Sequence, residues 1–135
     1  MIRKNQKEIL SFGITGGIGF LIDAGLLTWL VLMHGWDLYA ARACSFAAAV
    51  TMTWYLNRRF TFVKRASIGC IGEYGRYFVV QIMGALINLS IYVLVIALLP
   101  AIMTVPVIPL AMGSAVSMIF NYFGARHFAF TPLNE

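Results

Sequence analysis

Charge is what this chain has least of. Only 11% of its 135 residues are Asp, Glu, Lys or Arg, and just 5 residues are acidic. Ordinary globular domains carry about 25% charged residues. With so few acids, no paired-carboxylate motif for acid–base work can be assembled. Histidine and cysteine number 2 each. No Cys/His cluster has metal-ligand spacing, so neither a metal nor any other cofactor is expected. A Ser-His-Asp set and a P-loop are missing too, and the chain is not expected to be an enzyme. Cys44 is expected in the outer half of a membrane helix and Cys70 in a cytoplasmic loop. That placement rules out a disulfide between them.

Apolar residues fill the space that charge leaves. They make up 61% of the chain, and the mean hydropathy is +0.83. A soluble domain of this size must cover itself with polar groups and could not hide so much apolar surface. The composition points to an all-α integral membrane protein built as a single domain over residues 1–135. The apolar stretch after Arg3, Lys4 and Lys7 is too long for a signal-peptide core and lacks a small-x-small cleavage site. The N-terminus is therefore expected to stay attached.

A helix needs roughly 20 apolar residues to cross the hydrocarbon core. Four segments qualify, at about 10–33, 38–57, 76–99 and 106–125. Pro100, Pro106 and Pro109 bracket the short connection before the fourth, where proline suits helix ends and first turns. The net charge of +5 invites a nucleic-acid reading, but nine of the ten Lys and Arg fall on one side of these spans. Only Arg42 falls near the other. The positive-inside rule then puts both termini and the middle loop in the cytoplasm, and no nucleic-acid partner is expected. Trp29, Trp36 and Tyr39 mark the outer edge. Trp54, Tyr55, Phe60, Phe62, Tyr74 and Tyr77 mark the inner one, where amphipathic rings prefer to lie.

The chain also repeats itself. "TWYLNRRFTF" (53–62) aligns with "NYFGARHFAF" (121–130) at an offset of 68, and "GFLID" (19–23) with "GALIN" (84–88) at an offset of 65. Asp23 then corresponds to Asn88, Gly19 to Gly84 and Arg58 to Arg126. Two direct two-helix repeats follow, one over about 8–62 and the other over about 74–130. Halves of this kind are usually related by an axis along the membrane normal.

Polar residues inside spans are costly and should face protein, water or a ligand. Helical spacing puts Gly16, Gly19 and Asp23 on one face, and Gln81, Gly84 and Asn88 on its counterpart. Arg42, Ser45, Ala49 and Thr53 form a stripe on the second span, with Asn57 slightly off it. Ser114, Ser117 and Asn121 form one on the fourth. These stripes admit two readings, close helix packing through small residues or a polar lining for a ligand. Gly13-x-x-x-Gly17 has the spacing of a helix-dimer face. Asp23 lies deep in its span, where a charge costs about 2.5–3.5 kcal/mol. Arg42 on the next helix is the best partner for it, as a static pair fixing register or as a pair that a substrate could break. Arg58 and Arg59, with Arg126 and His127, close the second and fourth spans. They suit anchoring to anionic lipid or a phosphate clamp.

Several motifs now add up. "FGITG" in the first span, the Asp later in it, "NRRFTF" closing the second span and "NYFGARHFAF" closing the fourth resemble the GtrA-like family of small four-span membrane proteins. The chain departs from the family pattern at Tyr122, His127 and Ala129, and His127 makes the two basic clusters unequal. The resemblance covers nearly the whole chain. It implies a role in cell-surface polysaccharide synthesis in a bacterial inner membrane, as a flippase for polyprenyl-phosphate-linked sugar. The alternative is a non-transporting scaffold for a membrane glycosyltransferase. On either reading Arg58, Arg59 and Arg126 would meet the lipid phosphate. Asp23, Arg42, Asn57, Gln81, Asn88 and Asn121 would supply the polar path or sugar-binding groups. Four helices are few for enclosing such a path, so a homo-oligomer in contact with membrane lipid is expected. A small multidrug-type proton antiporter also uses four short helices and one acid in the first span, but the duplication and the basic inner edge argue against it.

Overall fold

The computed structural model describes residues 2–65, 69–99 and 107–131. Among them every regular element is helical: α1 (Ile2–His34), α2 (Leu38–Leu56), α3 (Cys70–Leu98) and α4 (Val107–Gly124). Both α2 and α4 run straight into a single π-helical turn, Asn57–Thr61 and Ala125–Ala129 respectively. The chain divides into two compact units, Met1–Ile68 and Gly69–Glu135. In the first, α1 packs on α2; in the second, α3 packs on α4.

Among the described residues three stretches are long and apolar enough to cross a membrane: Gln6–His34, Cys70–Leu98 and Ile108–Ala129, with mean hydropathies of 1.8, 2.2 and 1.3. Four spans were expected from the sequence. The helix left out is α2, whose 19 residues rise about 28 Å, close to the thickness of the core. Its length suffices, but Arg42, two threonines and the rings of Tyr39, Trp54 and Tyr55 hold its hydropathy down.

Two helices begin earlier than the apolar pattern predicts. The first starts at Ile2 rather than near 10, and the third at Cys70 rather than near 76. Span prediction follows hydrophobicity, which fades before the backbone hydrogen bonding does. Arg76 is therefore a residue of the second turn of α3, not a loop cation, and Cys70 opens that helix. Neither cysteine is in a disulfide, and both are exposed. Pro100 and Pro106 lie outside the described residues, as do residues 66–68 of the middle loop. Pro109 is buried in the first turn of α4.

The connection between α1 and α2 is three residues long, and its chemistry is local. Gly35 adopts a positive φ of 64°, which a side chain would resist. Its N–H bonds to the carbonyl of Val31, and the N–H of Trp36 bonds to that of Leu30. The first of these is the αL closure typical of a glycine-ended helix. Asp37 then caps α2, accepting from the backbone N–H groups of Tyr39 and Ala40 at 3.1 and 3.0 Å. A Gly followed two residues later by an Asp thus turns the chain tightly.

The helix faces meet along matched rows. Ala41, Ser45, Ala49, Thr53 and Asn57 are buried at steps of four. In the second unit Pro109, Gly113, Ser117, Ala125 and Ala129 are buried on the same step, with Asn121 half-buried between them. Facing them are Phe12, Thr15, Gly19 and Leu30 of α1, and Tyr77, Val80, Gly84 and Val95 of α3. A row of i±4 neighbours is a ridge that drifts around the helix. For that reason Asn57 lies on the row, whereas Arg42, expected on it, is rotated off and 55% exposed. Ser114 and Gly16, also expected on inner faces, are exposed.

Candidate functional site

Asp23 does not stand alone on α1. Arg42 Nη1 donates to its Oδ2 at 2.6 Å, and Ser45 Oγ donates to its Oδ1 at 2.7 Å. The carboxylate thus has a charged donor on one oxygen and a neutral one on the other. The acid is 15% exposed and the arginine 55%. The pair therefore opens to the surroundings through the guanidinium. The sequence pointed to Arg42 as a partner. It did not single out Ser45, although Ser45 lies four residues from Ala41 and Ala49 in the buried row.

The second unit has no charge at the equivalent position. Asn88 takes the place of Asp23, and its side chain and carbonyl crowd against Gly113, which stands where Ser45 does. Leu110 stands where Arg42 does. One turn further along, Gly19 lies against the Thr53 side chain, and Gly84 lies against the Asn121 amide. A Cβ at either glycine would collide with that neighbour. The nitrogen of Asn121 donates to Gln81 Oε1 at 3.4 Å, close to the limit of a real bond. Asn121 Oδ1 is buried without a hydrogen-bond partner among the described residues.

The two π-turns organise the basic residues. In the first, the N–H of Phe62 bonds to the carbonyl of Asn57 at 2.7 Å. The N–H of Phe130 bonds to that of Ala125 at 2.8 Å in the second. Each wide turn is anchored by the last Phe of its F-x-F motif. Phe62 meets Phe12 edge-on at 6.1 Å, and Phe130 meets Tyr77 at 5.7 Å. Both anchoring phenylalanines are fully buried. Arginine and aromatic are then stacked one helical turn apart. The Arg58 guanidinium lies 5.8 Å from the Trp54 ring, and that of Arg126 lies 5.9 Å from Tyr122. Arg126 Nη1 also donates to the Tyr122 hydroxyl at 2.7 Å. Such stacking holds each cation against the face of its ring. His127 lies parallel to Phe123 at 6.1 Å. Arg59 is exposed, and Asn57 is enclosed in its turn.

Two further groups escaped the sequence reading. Glu73 is completely buried near the start of α3. Drawing that helix from residue 76 made Asp23 look like the one acid within a span. The signal was present, since Glu73 stands 65 residues after Glu8, on the offset that relates Gly19 to Gly84. Arg76 reaches across the second unit, donating from Nε to the Phe128 carbonyl at 2.9 Å and from Nη2 to the Ala129 carbonyl at 3.0 Å.

Helices this apolar, several of them long enough to span, define a multi-pass integral membrane protein. Residues 11–130 match the family model described as GtrA/DPMS, transmembrane domain, and the chain belongs to that family. That membership ties it to membrane processes that handle lipid-linked sugars for glycans. No curated protein matches the sequence.

Proposed function

We propose that the protein translocates polyprenyl-phosphate-linked sugar across a bacterial inner membrane for cell-surface polysaccharide synthesis. α2 would act as a fourth span, and the π-turns would lie at the cytoplasmic face. The observation that carries this reading is the accessible Asp23–Arg42 pair. A pair kept only for register would be best enclosed, yet this one leaves Arg42 55% exposed. It sits about 24 Å along α2 from Arg58, most of the hydrocarbon thickness. The lipid phosphate would be met by Arg58 and Arg59 in the first unit or by Arg126 in the second, and released near Arg42. Asn57, Gln81, Asn88 and Asn121 are the neutral groups available to sugar hydroxyls. The orphaned Asn121 Oδ1 supports this, because a buried acceptor without a donor costs about 1–3 kcal/mol. The buried positions of Asn57, Thr53 and Ser45 mean that the seam between α1 and α2 must loosen for a head group to use them.

The matched rows and π-turns of the two units support a tandem duplication. A Cβ added at Gly13 or Gly17 would meet nothing within 4 Å, which suits a homo-oligomer formed through that helix face. A liposome flipping assay with purified protein tests the reading. Asp23→Asn, Arg42→Ala and Arg58→Ala should each reduce flipping of a polyprenyl-phosphate sugar by about tenfold or more, the loss expected when a charged hydrogen bond is removed. Wild-type rates in all three would sink the assignment. A second reading, a non-transporting scaffold for a membrane glycosyltransferase, draws support from Ile71, 90% exposed at the start of α3. It expects co-purification with the enzyme to survive Asp23→Asn and to fail in Ile71→Glu.

A further inference from the structure

A groove of about 360 Å³ runs along the first unit, between the N-terminal half of α1 and the end of α2. Lys7, Leu10, Ile14, Ile18, Leu56 and Phe60 line it. Five of these side chains are apolar, and the single cation sits at one end. From Lys7 to Ile18 the slot follows α1 for about 16 Å. Its volume falls in the range of about 300–1,000 Å³ common for small-ligand pockets.

The second unit treats the same place differently. Arg76 stands where Ser11 stands in the first unit, and its guanidinium crosses to the carbonyls of Phe128 and Ala129. Those residues correspond to Phe60 and Thr61. In the first unit Ser11 is short, and its hydroxyl bonds to that of Thr61 at 2.8 Å. No long side chain from that position crosses the slot, and it stays open.

We propose that this groove seats the head-proximal part of a polyprenyl phosphate, with the phosphate against Lys7. The inference rests on the proposed handling of lipid-linked sugar, and it says where the lipid is gripped. On that reading the occupant is a single isoprenoid phosphate rather than a two-chain phospholipid, and the slot meets both parts of it. Its apolar walls match the hydrocarbon. The cation at its end, beside the basic segment 58–65, matches the phosphate.

Binding to the full chain in phosphatidylcholine nanodiscs tests it, using polyprenyl monophosphate, the matching polyprenol and dioleoyl phosphatidate as probes. The wild type should prefer polyprenyl phosphate over both other probes by about tenfold, since a charged contact is lost or misplaced in each. Lys7→Gln should lower its affinity about threefold toward that of polyprenol, with Arg58 and Arg59 keeping the rest of the phosphate contact. Ile14→Trp fills the slot from a position that is 57% exposed, so the fold should tolerate it, and Leu10→Trp is an independent variant of the same kind. Both should weaken binding about tenfold. Val79→Trp, at the equivalent place in the second unit and 52% exposed, should change it less than twofold. Equal losses in Ile14→Trp and Val79→Trp, or phosphatidate binding as tightly as polyprenyl phosphate, would overturn the proposal. Groove binding by a protein that does not flip lipid refutes translocation and leaves the groove. Wild-type flipping in Ile14→Trp refutes the groove and leaves translocation.

Discussion

In the first unit Gly19 lies against Thr53, and in the second Gly84 lies against Asn121. Phe12 meets Phe62 in one, and Tyr77 meets Phe130 in the other. Trp54 carries Arg58 as Tyr122 carries Arg126. These contacts fall at the same offsets, and they involve small residues, rings and stacked cations. The units part company at two places. Where the first holds Asp23 with Arg42 and Ser45, the second packs Asn88 on Gly113. Where the first joins two hydroxyls, Ser11 to Thr61, the second spans the gap with Arg76. Contacts that only pack helices are shared, whereas contacts that involve charge in the interior differ. The unshared charge is what a functional division between the units would require.

The comparison can be broken hardest at the shared contact. Gly84→Leu should destabilise the second unit by about 3 kcal/mol, because its side chain must displace the Asn121 amide. Gly16→Leu, on an exposed position of α1, should stay within about 0.5 kcal/mol. Denaturant unfolding in mild detergent reads both, and similar losses would mean that Gly84 is not a contact point.

The Arg76 staple comes next. Arg76→Ser gives the second unit the residue found in the first and removes two charge-assisted bonds. About 2 kcal/mol should go, and backbone amides over 125–131 should exchange faster. Ser11→Ala removes one neutral bond and should cost about 1 kcal/mol.

The smallest effect sharpens the unshared site. Asp23→Asn and Arg42→Leu bring in the residues of the second unit. The double variant should be more stable than the sum of the single losses implies, with a coupling of about 0.5–1 kcal/mol, at the low end for contacting residues because Arg42 is largely exposed. Zero coupling would mean that the ion pair contributes nothing to folding, which would strengthen a purely functional role.

Much of this was legible in the chain itself. The offsets of 65 and 68 already aligned Gly19 with Gly84, and helical spacing already put Gly19 and Asp23 on one face. Arg42 was identified as a partner because a guanidinium on a neighbouring span is the cheapest neutraliser of a deep carboxylate. Glu73 and Arg76 were missed for one reason. Both lie in a stretch whose glycines and polar residues mute the apolar signal, although the helix runs on through it. The π-turns left no trace in periodicity, since one extra residue per turn over five positions is too short a disturbance to register.

Composition settled the solvent this protein folds in, because 61% apolar residues with 11% charged ones cannot be hidden within so small a chain. Spacing along each helix settled which residues share a face, since that is a property of backbone geometry alone. Which residues on those faces touch was decided only by packing. A drifting i±4 ridge set Asn57 inward and swung Arg42 out. The depth of each helix in its partner's groove brought Ser45 to Asp23 and Asn88 to Gly113. Such contacts depend on where two ridges interlock, and no single strand of residues carries that information.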